Sequence, residues 1–362
     1  MKSQISSIDL HYLVSEMKII EGGRLDKIYH PKKEELIMQF HVKEKGKQIL
    51  RIISGKFAFL SEHKESYDAP SGFCMFLRKN LGNSKLKSIE QVGSERILLL
   101  DFGKFRLYSE LFGKGNIVFT DDKDFIFNAL NQKKWKDRVI KKDEKYDFPR
   151  NKYDLFRIKK EEFISLMKSD KELVMKLAKE IGLGGVYSEE IILISGVEKK
   201  KVKLDTNETE KVWDAFNSIR KHEVNAKVVL KDNSVQDVVP FELEKYKEYE
   251  FKEMTSFNNA FDYFFKEEFG EEFVSRHQAN IDKALKIIKQ QEKQTNELEK
   301  KAGENNRKGE LIYEKYQEVD GILKEINKAR EKYSFKEIKE KLKGHKIVKE
   351  VDEKNKKIAV EL

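Results

Sequence analysis

The sequence predicts an α+β chain, and three patterns carry that prediction. Between Gly93 and Asp121, runs rich in Ile, Leu, Phe and Tyr are broken at Gly103-Lys104 and again at Gly113-Lys114-Gly115-Asn116. Short glycine turns between such runs are the mark of an antiparallel meander, because glycine reaches positive φ without a Cβ clash. From Lys159 the apolar period lengthens to that of helices. Beyond Arg276, residues Ile281, Ala284, Ile288, Gln291, Thr295, Leu298 and Ala302 step by threes and fours, as in a coiled coil.

The elements follow in order. Residues 7–20 place Ile8, Leu10, Leu13, Val14 and Met17 at near-helical spacing, and Ser6 with Asp9 three residues on reads as a capping box. Strand-like runs then cover 24–29, 35–42, 48–53 and 56–60. A second helix covers 71–81, with Arg78 and Lys79 toward its end. A strand over 86–92 leads into the meander, and 125–130 closes the set. Residues 1–155 thus read as one β-rich domain with two helices.

Residues 156–222 read as a helical domain. At its centre Ile181-Gly182-Leu183-Gly184 separates two helices in the manner of a helix-hairpin-helix, where backbone N–H groups at a helix start face a phosphate. Gly184 is expected to tolerate a side chain less well than Gly55. Residues 223–275 supply a hairpin and an amphipathic helix with Phe257, Phe261, Phe264 and Phe265 inward. Residues 276–362 form the coiled-coil arm, with a break expected between Gly303 and Gly309 and a hairpin at 347–362.

Composition narrows the function. The chain has 362 residues with 73 Lys+Arg against 64 Asp+Glu, a net charge of +9, which points to a polyanionic partner. The single cysteine, Cys74, excludes an internal disulfide and a multi-cysteine metal site. No His-x-His, His-Glu-x-x-His, P-loop or Gly-x-Ser-x-Gly pattern occurs, so no metal, cofactor or catalytic residue is expected. No apolar run reaches bilayer length and no secretory leader is evident, so a cytoplasmic, membrane-free location is expected. Only 4 Pro argue against long disordered linkers.

The residues that stand out are Glu95 and Arg96, an acid and a base side by side where the meander begins. Arg96 suits a phosphate because its planar fork makes parallel charge-assisted bonds, and a neighbouring carboxylate holds it; turn surface is the plain alternative. Arg78 and Lys79 are either a solvated helix face or phosphate contacts. Asp9, on its own residues, is first of all a first-turn charge favoured by the helix dipole.

Together the segments ISSIDLHYLVSEM, GGRLDKIYH, FCMFLRKNL, GSERILLLDFG, ELFGKGNIVFTD and IGLGGVYSEEI, followed by the heptad helix, resemble the NFACT family of ribosome-associated quality-control factors. The resemblance covers nearly the whole chain. It implies an NFACT-N domain similar in fold to the N-terminal part of formamidopyrimidine-DNA glycosylases, a helix-hairpin-helix-type domain and a coiled-coil arm. It further implies binding to large ribosomal subunits with stalled peptidyl-tRNA and to aminoacyl-tRNA, supporting mRNA-independent C-terminal tailing in which the ribosome forms the peptide bonds. Asp9, Glu95 and Arg96 fall on the family's tRNA-binding positions, with Glu95 standing where the family usually has Asp. Gly182 and Gly184, with Arg78 and Lys79, would be further RNA-phosphate contacts. Lys2-Ser3 stand where the glycosylases carry Pro-Glu, so no DNA-repair substrate is expected. Family members usually continue into an NFACT-R domain past the position of Leu362. The resemblance therefore implies either that a second polypeptide carries it, or that the chain is an RNA-binding, coiled-coil adaptor without tailing activity.

Overall fold

The computed structural model describes residues 2–62, 70–134, 138–148, 151–352, 354–355 and 357–361. Ser6 caps the first helix, α1 (Ser7–Met17), as its sequence predicts: the Asp9 N–H donates to the Ser6 hydroxyl at 3.0 Å and the Ser6 N–H to the Asp9 carboxylate at 2.8 Å. That closed box satisfies two otherwise orphaned donors and fixes where the Asp9 carboxylate sits.

Four antiparallel strands follow in sequence order: β1 (Arg24–Lys32), β2 (Glu35–Val42), β3 (Gly46–Ile53) and β4 (Phe57–Ser61). Helix α2 (Gly72–Leu81) leads to a second sheet of five strands, again in sequence order. These are β5 (Ser88–Gln91), β6 (Ile97–Asp101), β7 (Phe105–Glu110), β8 (Asn116–Asp121) and β9 (Ile126–Ala129). The meander read from the glycine turns is therefore present, and a separate two-stranded pair, β10 (Lys133–Lys134) and β11 (Val139–Ile140), follows it.

The two sheets touch through their turns. Gly55 donates its N–H to the Glu110 carbonyl at 2.9 Å. A Cβ on Gly115, which sits at φ +64°, would lie 2.1 Å from the Gly55 nitrogen and 2.3 Å from the Ser54 carbonyl carbon. Backbone lies against backbone there, so no side chain fits.

Then come α3 (Lys160–Met167), a single helical turn α4 (Leu173–Met175) running into a π-type turn over Lys176–Glu180, α5 (Gly184–Ser195) and α6 (Thr206–Lys221). A three-stranded sheet has β12 (Lys227–Lys231) between β13 (Ser234–Val239) and β14 (Glu250–Glu253). Its third strand has no signal in the sequence, because Glu250–Glu253 carries little apolar alternation.

The segments 1–155, 156–222 and 223–275 pack as one unit, residues 1–271, and the second unit is 272–362. Side chains explain the merger. The Tyr12 hydroxyl on α1 reaches the Ile219 and His222 carbonyls, each at 3.0 Å, and Ser61 donates to Asp262 at 2.6 Å. The first turns of α7 (Phe257–Glu314) start against α1, where the Glu16 carboxylate accepts the N–H groups of Phe257 at 2.8 Å and Asn258 at 2.9 Å. Phe257, Phe261, Phe264 and Phe265 are all buried, on the face the sequence assigns them.

In the second unit, α7 runs through Gly303 and Gly309 without a break and ends at Lys315. Each glycine costs a helix only about 1 kcal/mol relative to alanine, and a helix of this length absorbs it. Ile288 and Leu298 on the heptad seam are exposed, while the side chains of Arg276 and Ile281 lie outside the described residues. Helices α8 (Tyr316–Arg330) and α9 (Phe335–Lys341) and the hairpin β15 (Val348–Asp352) with β16 (Lys357–Val360) complete it, burying Ile326, Ile338, Val348 and Val351. The last residue of the expected hairpin, Leu362, lies outside the described residues. Among the described residues no helix is long and apolar enough to cross a membrane.

The turn contact gives a direct test. Gly115→Ala is expected to lower stability by at least about 3 kcal/mol, since a positive φ and a backbone collision add. Gly46→Ala, at φ +69° with open space around it, should cost only about 1–2 kcal/mol. Urea midpoints of the two variants measure the difference, and equal midpoints would show that the sheets do not depend on this contact.

Candidate functional site

A cavity of about 600 Å³ lies where three parts of the first unit meet. One wall is the N-terminal segment Lys2–Ser7 with Ser94, Glu95 and Arg96; a second is Lys179 with Gly182–Val186; a third is Gln236, Asp237 and Tyr246.

Capping sets Asp9 in the first wall, but the carboxylate is 1 % exposed and fully engaged. It accepts from the Ser6 N–H, from the Tyr187 hydroxyl at 2.7 Å, and pairs with the Lys2 ammonium at 3.1 Å. The expectation of a direct tRNA contact at Asp9 is thus corrected at the level of geometry: this side chain positions others.

Glu95 and Arg96 stand at the entrance to β6. Glu95 accepts the Asn151 N–H, and burial raises its carboxyl above the usual range, assisted by Asp154 and opposed by Asn151 and Arg96. Arg96 donates one bond to the Ile5 carbonyl at 3.3 Å, and its other donors have no partner among the described residues. Burial depresses its guanidinium, with Glu95 opposing. A half-buried cation with unspent donors gains most from an anion, because the desolvation cost is already met.

Gly182 and Gly184 flank the start of α5 at φ +86° and +77°. A Cβ on Gly184 would meet nothing within 4 Å, whereas one on Gly55 would meet the backbone of Gly113, Lys114 and Gly115 at 3.0–3.1 Å. The expected ranking therefore reverses: Gly55 is the more crowded site, and Gly184 needs glycine for its φ alone. Amides at the start of α5 line the cavity together with Lys179, an exposed lysine with no ion-pair partner among the described residues.

Arg78 and Lys79 lie apart from these walls. Arg78 donates from Nε and Nη2 to the Ile28 carbonyl at 2.9 and 2.6 Å, tying α2 to β1; Lys79 is exposed. The Arg78 guanidinium is a packing bond rather than a free phosphate contact.

Sequence reasoning missed Lys2, Asp237, Tyr187 and Tyr246. The Lys2 ammonium, 6 % exposed, donates to Asp237 at 2.8 Å and to the Val238 carbonyl at 2.9 Å, besides its pairing with Asp9. The Tyr246 hydroxyl donates to the second Asp237 oxygen. Burial alone would lower the Lys2 ammonium, but Asp237 and Asp9 outweigh it and the net shift is upward. Burial likewise would raise Asp237, yet Lys2 and Tyr246 hold it below the usual carboxylate range. No local signal marks these residues, since the partners stand 235 positions apart.

Comparison with known proteins places the chain. The family model described as NFACT N-terminal and middle domains matches residues 6–359. The chain belongs to the NFACT family. Among relatives, the archaeal Rqc2 homolog aRqcH of Methanocaldococcus jannaschii is 35% identical over 370 residues, covering 96% of this chain and 55% of that protein. The human ribosome quality control complex subunit NEMF is 25% identical over 375 residues, covering 91% of this chain and 34% of that protein. The chain thus spans about half the length of the archaeal relative or less of the others. Among solved structures, the N-terminal part of the fibronectin/fibrinogen-binding protein from Streptococcus suis shares the fold. Its TM-score is 0.59 at 18% identity, covering 73% of this chain and 99% of that one.

The charge cluster sets a pH dependence. Because Asp237 is depressed on folding, its contribution is present in full above the ordinary aspartate value near 3.8 and is lost as pH falls through the lower folded value. Asp237→Asn is expected to cost about 3–5 kcal/mol at neutral pH, as for a broken buried pair. Melting temperatures across an acid titration should show the gap to the parent protein closing as pH falls below the ordinary aspartate value. A gap that stays constant would mean that Asp237 is not held as a stabilised carboxylate.

Proposed function

We propose that this chain is the RNA-reading part of a ribosome quality-control factor. In this reading it binds large ribosomal subunits carrying stalled peptidyl-tRNA, holds aminoacyl-tRNA, and supports C-terminal tailing without mRNA. The observation that carries the reading is the convergence of Arg96, Glu95, Lys179 and the amides at the start of α5 on one cavity in a chain of net charge +9. Cations with unspent donors beside a helix N-terminus suit a bent phosphate backbone. The 35% identity to the archaeal Rqc2 homolog supports the same reading.

In this reading the cavity binds, with Asp9 and Asp237 spent on Lys2 and Arg96 and Lys179 left for the ligand. The ribosome would make the peptide bonds. A second reading is an RNA-binding and coiled-coil adaptor without tailing activity, which the exposed heptad residues Ile288 and Leu298 of α7 favour. Association with stalled large subunits without tail addition in a reconstituted reaction would favour it.

Arg96→Ala is expected to weaken binding of total deacylated tRNA about ten- to a hundred-fold through loss of one charge-assisted contact. The slope of log affinity against log salt should shrink by about one. Fluorescence anisotropy across a salt series measures both. An unchanged affinity joined to a large fall in melting temperature would make Arg96 a structural residue and remove the cavity from the RNA account.

A further inference from the structure

We infer that Lys2 is a positioning residue for the RNA-facing cavity: it sets the spacing of the three walls and, through Ile5, the aim of Arg96. The inference rests on the cavity being the RNA site.

The ammonium has three donors, and Asp9, Asp237 and the Val238 carbonyl take them. Although Lys2 lines the cavity, it has no donor left for a phosphate. What it joins is the walls themselves. Asp9 belongs to α1, and its other oxygen is held by Tyr187 of α5, the helix that starts at Gly184. Asp237 belongs to β13, and its other oxygen is held by Tyr246. One cation thus links the start of α1, the start of α5 and the β13 wall.

The N-terminal segment carries the link to Arg96. The Lys2 N–H donates to the Gln236 carbonyl at 3.1 Å, and the Ile5 N–H to the Lys56 carbonyl at 3.0 Å. The Ile5 carbonyl then accepts from Arg96. The ammonium adds to these backbone bonds by anchoring the first residue of the segment to Asp9 and Asp237. Its loss leaves a single backbone bond at that end and two buried carboxylates without their shared counter-ion, which would drive the walls apart.

The test uses the whole chain and total deacylated tRNA in a double-mutant cycle. Lys2→Met may be compared with Tyr187→Phe, which removes one hydroxyl from Asp9 and does not itself line the cavity, so its effect on affinity is not a lost RNA contact. Lys2→Met is expected to weaken binding about ten-fold and Tyr187→Phe about two- to five-fold, with little further loss when either is combined with Arg96→Ala. Amide exchange should quicken at Ile5 and at Leu183, whose N–H groups donate to the Lys56 and Leu177 carbonyls, while β2 and β3 stay protected. Losses that multiply with Arg96→Ala, or folded variants with parental affinity, would overturn the inference. If Arg96→Ala alone left tRNA binding unchanged, the reading of the cavity as an RNA site would fail. Amide exchange would still decide the positioning role: selective quickening at those amides supports it, and uniform or absent change overturns it.

Discussion

One ammonium holds the first unit in register. Lys2 stands between two carboxylates, Asp9 and Asp237, with 6 % of its side chain exposed, and the three belong to segments that begin and end the unit's chain path. A buried ion cluster of this kind is a poor source of net stability, because desolvation offsets most of the Coulomb gain. What the ammonium does is join the walls on which Asp9 and Asp237 stand. Tyr187 and Tyr246 complete the remaining lone pairs, so the cluster is satisfied rather than strained.

Around that cluster the molecule separates two kinds of charge. Cations whose charge is met by a carboxylate, such as Lys2, Arg51 with Glu35 at 3.0 Å, and Arg138 with Glu110 at 2.6 Å, belong to the architecture. Arg96 and Lys179 differ, because they reach the cavity with donors or charge unspent. The net charge of +9 attracts a polyanion from a distance, but only the second kind of cation can grip it at close range.

Helix α7 begins in the first unit on the Glu16 carboxylate and continues into the second as a long exposed helix. Its start is as firmly built as any core element, with Phe57 and Phe59 packed against Phe261, Phe264 and Phe265. Its heptads, by contrast, meet no partner among the described residues of the second unit over Ile288 and Leu298.

The periodic features were legible in the residues alone. Glycine turns and alternating apolar runs identify the meander, the Ser6 and Asp9 pair marks the start of α1, and the Phe257–Phe265 stripe marks a buried helix face, because each depends on neighbours within a few residues. Glu95, Arg96, Gly182 and Gly184 were also visible as unusual local chemistry, and they do share a cavity. Their surroundings were not visible. Whether Asp9 faces solvent or a lysine, whether Arg78 is free or bound to the Ile28 carbonyl, and whether Gly55 or Gly184 is the crowded glycine all depend on contacts between distant segments. Pattern and composition determine which elements form and give the chain its net positive charge. Only the tertiary structure decides which charges are spent on the fold and which remain for a ligand, because a charge is spent by whatever the rest of the chain brings within about 3 Å of it.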